Sequence, residues 1–335
     1  MCWEFGISLQ LWSLEITCHF RHLNITLAHF GHLLAQYSII PLFHYSNHAW
    51  IVMTNFIEIL IRGLMLGSVY ALVGMGLTLV WGVVGIVNIA HGEFVMLGAY
   101  FTFWAFSLVH LNPLLSVALS IPVFFYGGML IHKRITERLI KEQELSALIL
   151  TFGMSILIWN LAQFFWTNTY RSVSYLTGNF PFMGIVLGRS KTVSFALAVG
   201  ITAVLFLFLK YSKLGKGIRA TSQNSDVALV CGINTGKMRA ITFGMGIALG
   251  GAAGAIVSLQ WVIFPQMGGS YISKAFAIVV LGGLGNIQGA LVGGLIIGAL
   301  ESLVTQYLSA KMAQIIPSFT ILIILLLRPT GLFKK

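Results

Sequence analysis

Asn88, His91 and Glu93 fall within six residues of one another in the stretch IVNIAHGEFVMLGAY (86–100). An amide, an imidazole and a carboxylate are groups from which proton relays and cation or solute sites can be built. These three sit in a chain that is otherwise nearly free of charge for long spans. An ionisable group at membrane depth costs roughly 2.5–3.5 kcal/mol on insertion scales, so its presence there points to function. His91 and Glu93 are two residues apart, and on a helix they point to different faces, so they do not form a ready acid–base pair. Two readings stand for them: polar groups that tie a helix bend to its neighbour, or groups lining a path through the membrane. Bond-making chemistry is not expected. The one aspartate of the chain is Asp226, and no serine or cysteine nucleophile has an obvious base partner.

The elements that must hold these residues are membrane spans. Of 335 residues, 57% are apolar and 9% charged, against about 25% charged in soluble domains. Apolar runs at about 57–81, 89–109, 113–131, 145–168, 192–209, 241–261 and 313–327 are long enough to span, or nearly so. Region 275–304 reads as two short segments around LGGLGNIQGA, with Gly282, Gly283, Gly285 and Asn286 at the interruption. Broken helices are tolerated at depth where they are buried in protein or line a cavity. The expectation is an all-α, polytopic transmembrane bundle of about eight or nine spans, some of them short or broken. Small residues recur four apart at Gly63/Gly67, Gly246/Gly250, Gly250/Gly254, Gly289/Gly293 and Gly294/Gly298, spacing that lets helix backbones approach closely.

The formal charge of +11 does not point to nucleic acid, because the basic residues sit in short loops between apolar runs. Lys133, Arg134, Arg138 and Lys141, then Lys210, Lys213, Lys216, Arg219, Lys237 and Arg239, then Arg328, Lys334 and Lys335 would all face the cytoplasm. Arg171, Arg189, Lys191, Lys274 and Lys311 would face the other side, and the C-terminus would be inside. Lys274 and His110 are expected at the interface, and Glu301 near the end of its span facing water.

Residues 1–52 differ from the rest. They hold six of the nine histidines and lack the layout of a signal peptide. The expectation is an over-extended translation start, with a genuine extra helix or regulatory extension as the other reading, and the main domain running over 53–335. His29 and His32 have metal-sharing spacing, but nothing completes a site, and no metal is expected. GINTGKM (232–238) and GLGNIQG (283–289) miss the phosphate-loop and dinucleotide patterns in spacing, so no cofactor or nucleotide is expected on this chain.

The loop 211–240 is the second informative segment. Ser225 is a candidate N-cap, Asp226 sits in the first turn and Gly232 can end a short helix. A plain solvated basic loop accounts for the charges. A docking helix for a cytoplasmic partner accounts for the charges and the capped helix together.

GSVYALVGMGLTLVWGVVGIVNIAHGEFVMLGAY (67–100), GKGIRATSQNSDVALVCGI (215–233) and AFAIVVLGGLGNIQGALVGGLIIGALES (275–302) resemble, in order, three blocks of the permease subunits of branched-chain amino acid ABC importers. The resemblance covers about 53–335, and the group also includes urea and short-chain amide permeases. It implies the helical fold of type II ABC importer permeases. It further implies a homologous second permease subunit, two cytoplasmic ABC ATPase subunits, a periplasmic solute-binding protein, and a bacterial inner-membrane location within membrane lipid. Carried onto this sequence, Asn88, His91, Gly92, Glu93 and Gly98 form the polar turn of the family. Gly217, Arg219, Ala220, Asp226, Ala228, Gly232 and Ile233 form the segment that docks on the ATPase. Cys231 departs from the apolar residue expected before Gly232. The competing readings are a urea or amide permease, an ion-coupled secondary transporter working through His91 and Glu93, and a channel for a small neutral solute.

Overall fold

The computed structural model describes residues 55–137, 144–182, 185–328 and 331–332. The segment 1–52, with His29 and His32, lies outside the described residues, as do Arg138, Lys141, Lys334 and Lys335.

Among the described residues, seven helices are long and apolar enough to cross a membrane. They are α1 (Asn55–Val84), α2 (His91–Val109), α3 (Pro113–Ile131), α4 (Glu144–Trp166), α5 (Arg189–Tyr211), α8 (Thr235–Val257) and α10 (Ile287–Tyr307). Two shorter apolar helices, α9 (Met267–Gly282) and α12 (Ile316–Leu327), join them. The short α6 (Lys213–Gln223) and α7 (Ser225–Val230) link α5 to α8, and α11 (Ala310–Ala313) precedes α12. The expected interruption in 275–304 is present, as the join between α9 and α10. The described residues depart from an all-helical chain at an antiparallel hairpin that pairs β1 (Asn179–Phe182) with β2 (Ile185–Gly188) and at an isolated bridge between Arg171 and Ile263. The strands lie in the polar connection between α4 and α5, where hydropathy carries no span signal.

Local chemistry sets the helix starts. Asn112 accepts from Leu114 N with Pro113 at the first helical position of α3, and Ser212, Asn234 and Asn286 cap α6, α8 and α10. Each side-chain oxygen satisfies a backbone N–H that has no partner inside the helix. The expected Ser225 cap is displaced by one residue: Asn224 Oδ1 accepts from Asp226 N and Val227 N, 3.0 and 3.1 Å away. Ser225 Oγ instead accepts from Arg239 Nη2 of α8 at 3.0 Å.

Burial is uneven. The apolar window of α8 is 94% buried and that of α1 89%, against 11% for α4. Glycine makes the dense centre possible. A Cβ on Gly67 would stand 2.8 Å from Gly294 O, and one on Gly76 would stand 2.8 Å from Gly246 O. The spaced small residues are therefore backbone crossing points of α1 with α10 and with α8. With no lipid-excluding force between helices in hydrocarbon, such close van der Waals contact is what holds them together.

Candidate functional site

The polar turn begins where α1 ends. Gly85 takes a left-handed φ of +78°, and its N–H closes on Trp81 O at 3.0 Å, a glycine stop that lets the chain leave the helix. The chain then runs non-helical to Asn88, whose backbone oxygen accepts from His91 N at 3.2 Å. Thr151 of α4 donates to Val87 O at 3.0 Å and braces the turn from outside.

His91 opens α2 and is fully buried. Its Nε2 lies 3.0 Å from Val73 O. A carbonyl only accepts, so this nitrogen carries the proton. The ring packs between two glycines: a Cβ on Gly76 or Gly250 would come within 2.9 and 3.1 Å of its Cε1. Glu93, on another face, reaches α4 and α9. Its Oε1 accepts from Ser155 Oγ at 3.3 Å, and its carboxylate covers Gly268, where any side chain would collide with it. The two faces are those the spacing predicts. Gly92 packs against the backbone of Gly268, and Gly98 against that of Gly251.

Four side-chain atoms of this turn are buried without a hydrogen-bond partner among the described residues: Asn88 Nδ2 and Oδ1, His91 Nδ1 and Glu93 Oε2. An unmade bond at a buried polar group costs about 1–3 kcal/mol, and such groups call for a specific explanation. Together these atoms offer one amide donor and three acceptors, a set that suits water, a cation or a polar solute with both kinds of hydrogen-bonding group.

The second candidate segment is the join of α9 and α10. Gly283 and Gly285 both have positive φ (85° and 78°), so the chain reverses within four residues. Asn286 Oδ1 accepts from Gly289 N at 3.1 Å, which occupies part of the positive helix end there. Gly282 and Gly289 meet backbone to backbone across the join. A Cβ on Gly82 would stand 3.0 Å from Gly285 Cα, so this join touches the end of α1 from which the polar turn departs.

The third segment is α6–α7. Gly217 is buried, and a Cβ there would lie 3.0 Å from Met238 Sδ of α8. Gly232, with φ +81°, ends α7 as expected, and Ile233 N closes on Ala228 O at 3.0 Å. Ala228 is buried, whereas Arg219, Asp226 and Cys231 are exposed and Ala220 is partly so. Val227, Leu229 and Val230 of the same short helix are also exposed, Val230 at 89%. One rigid element connects this segment to the polar turn. α8 holds α6 and α7 through Met238 and Arg239, and three turns further along its Gly250 faces the His91 ring.

One cluster departs from the sequence reading. Lys274 and Glu301 face each other, not solvent, with side chains 13% and 14% exposed and Nζ 2.8 Å from Oε1. Lys274 also donates to Tyr70 OH at 2.5 Å, and Tyr70 OH donates to the same Glu301 oxygen at 3.1 Å. The ammonium lies 4.2 Å from the Tyr70 ring centroid and 5.7 Å from that of Tyr271. An unpaired charge is too costly inside a bundle. One lysine and one glutamate, each alone in adjacent apolar segments, was the signal that they pair. Tyr70, on the distant α1, left no such signal. His110, by contrast, is exposed at the end of α2.

Close-packed spanning helices interrupted by two glycine-rich joins, with unpaired polar groups at one of them, define a multi-pass membrane protein of the transport kind. The family model described as branched-chain amino acid transport system, permease component, matches residues 59–325. The chain belongs to that family. The high-affinity branched-chain amino acid transport system permease protein LivH of Salmonella typhimurium is 31% identical over 84% of this chain and 96% of its own length. The corresponding protein BraD of Pseudomonas aeruginosa is 31% identical over the same shares. The ribose import permease protein RbsC of Escherichia coli is 29% identical over 70% of this chain and 74% of its own. Among solved structures, PsaBC from Streptococcus pneumoniae in complex with Fab aligns with a TM-score of 0.46 at 11% identity, covering 83% of this chain and 97% of that one.

Proposed function

We propose that this chain is the non-catalytic membrane subunit of an ATP-driven importer for branched-chain or other hydrophobic amino acids. The observation that carries the reading is the family match over 59–325, with LivH and BraD aligned along nearly their whole length. In this reading the chain sits in the bacterial inner membrane with its C-terminus and the α5–α8 connection inside, as the bias of its basic loops favours. It pairs with a homologous permease. Two ABC ATPase subunits drive the pair, and a periplasmic binding protein delivers the solute. The permease domain in this reading is 53–335.

The exposed face of α7, with Asp226 beside Val227 and Val230, and Arg219 on α6 form the ATPase contact. ATP-driven closure of the ATPases moves α6 and α7. The buried α8 carries that motion from Met238 and Arg239 to Gly250 and His91. The polar turn Asn88, His91, Gly92, Glu93 lines the path, and its unmade hydrogen bonds are filled by the passing zwitterion and its water. Glu93 Oε2 and Asn88 Oδ1 suit an ammonium, and Asn88 Nδ2 suits a carboxylate. The Gly282–Asn286 join, against the end of α1, lies alongside.

The test is ATP hydrolysis and uptake in proteoliposomes holding this chain, its partner permease, the ATPases and a binding protein loaded with leucine, another amino acid or urea. Leucine is expected to stimulate both. Stimulation by urea alone would replace the solute, and uptake without ATPases would replace the class. Asp226→Ala and Arg219→Ala are expected to insert normally and abolish stimulation. Normal transport in both would remove the α6–α7 assignment.

A further inference from the structure

α3, α5 and α8 leave between them an open groove of about 560 Å³ whose lining is wholly apolar. Ala196, Gly200, Val204 and Phe208 mark its course along α5, with Ile241 and Ala252 opposite on α8. From Ala196 to Phe208 is twelve residues of helix, about 18 Å at 1.5 Å per residue. One leaflet of a hydrocarbon core about 30 Å thick has nearly that depth. The groove therefore accommodates something apolar, elongated and one leaflet long.

Its two ends differ in charge. At the Phe208 end the lining includes Leu214 of α6. Beside it Lys210, Lys213, Lys216 and Arg219 are all exposed. No acidic residue occurs between Glu144 and Asp226 to neutralise them. Clusters of basic residues next to a membrane helix attract anionic headgroups. An apolar slot one leaflet long that ends in four cations matches an anionic phospholipid, with an acyl chain in the slot and the phosphate at the lysines. Loop topology alone can place these cations at the cytoplasmic side, but they stand at the mouth of the slot, where a phosphate would engage them and a partner's transmembrane helix would not.

We infer that the α3–α5–α8 groove is a binding site for an anionic phospholipid, with one acyl chain against Gly200 and Phe208 and the headgroup held by Lys210, Lys213 and Lys216. Because Leu214 lines the groove, the bound lipid touches α6 directly.

Two variants separate chain from headgroup. A Cβ on Gly200 meets nothing within 4 Å, so Gly200→Phe fills the slot without displacing backbone. Lys210→Gln/Lys213→Gln/Lys216→Gln alters exposed side chains alone and does not threaten folding. Native mass spectrometry of the full chain, titrated with dioleoylphosphatidylglycerol or dioleoylphosphatidylcholine, reads the retained lipid. The parent chain is expected to hold phosphatidylglycerol about tenfold more tightly than phosphatidylcholine. The triple variant is expected to lose that preference, and Gly200→Phe to lose the retained lipid of both kinds. An unchanged preference in the triple variant overturns the proposal. So does a Gly200→Phe chain that keeps its lipid but fails to assemble with the partner permease, which would make the groove a subunit interface.

Discussion

Among the described residues, two clusters of ionisable side chains are buried between membrane helices, and they are arranged differently. At Lys274–Glu301–Tyr70 an ammonium, a carboxylate oxygen and a phenol meet within 3.1 Å of one another, and two aromatic rings cover the cation. At Asn88–His91–Glu93 the groups point apart, to α1, α4 and α9, and four of their atoms are buried with no partner among the described residues. The first arrangement sets each charge against an opposite one and leaves a single buried atom, Glu301 Oε2, without a hydrogen-bond partner among the described residues. The second leaves four such atoms open, as the proposed site for a passing solute requires. What separates the two places is the counter-charge: one pairs its ions, and the other keeps each polar group apart with more of its hydrogen bonds unmade.

The largest effect expected from this contrast is at the ion pair. Lys274→Met leaves Glu301 charged and unpaired, and should destabilise the chain by about 3–5 kcal/mol. Lys274→Met/Glu301→Leu should recover most of that, because replacing both members of a buried pair by apolar residues is often neutral. Thermal unfolding in detergent measures both. If the stable double variant fails to transport, the pair belongs to the path and the contrast collapses.

Glu93→Gln is expected to behave in the reverse manner. Its one side-chain hydrogen bond among the described residues, from Ser155 at 3.3 Å, is long, so stability should change by less than about 1 kcal/mol. Uptake should nevertheless fall at least about tenfold, a difference of about 1.4 kcal/mol. Wild-type uptake would make the turn a structural bend. The smallest effect is expected at Thr151→Val, which removes the brace on Val87 while nearly keeping volume. A cost near 0.6 kcal/mol is typical of hydrogen bonds between membrane helices, and it should appear as faster hydrogen exchange around 85–90.

Much of this was legible in the sequence. Apolar run length gives the spanning segments, since hydrocarbon admits helices and little else. The interruption near Gly282–Asn286 and the faces of His91 and Glu93 follow from glycine placement and the helical period. What escaped depended on tertiary partners. Asn224 and Ser225 are equally good caps by type, and only the position of Arg239 on α8 decides that Ser225 is engaged elsewhere. Lys274 and Glu301 each resemble an interfacial charge until α9 and α10 lie side by side. The unmade bonds of Asn88 are invisible in sequence, because an amide carries no mark of whether a partner will reach it.

The uneven burial of the helices bears on the polar turn itself. α4 is the least buried of the spans, yet it supplies both hydroxyls that reach the turn, from Thr151 to Val87 O and from Ser155 to Glu93. These bonds are 3.0 and 3.3 Å long. A shift of α4 by about 1 Å would break them, since a contact beyond about 3.5 Å no longer counts as a hydrogen bond. The least buried of the spans thus holds the Glu93 carboxylate near the limit of hydrogen-bond reach: a movement too small to repack the glycine crossings would decide whether that carboxylate is half satisfied or wholly bare.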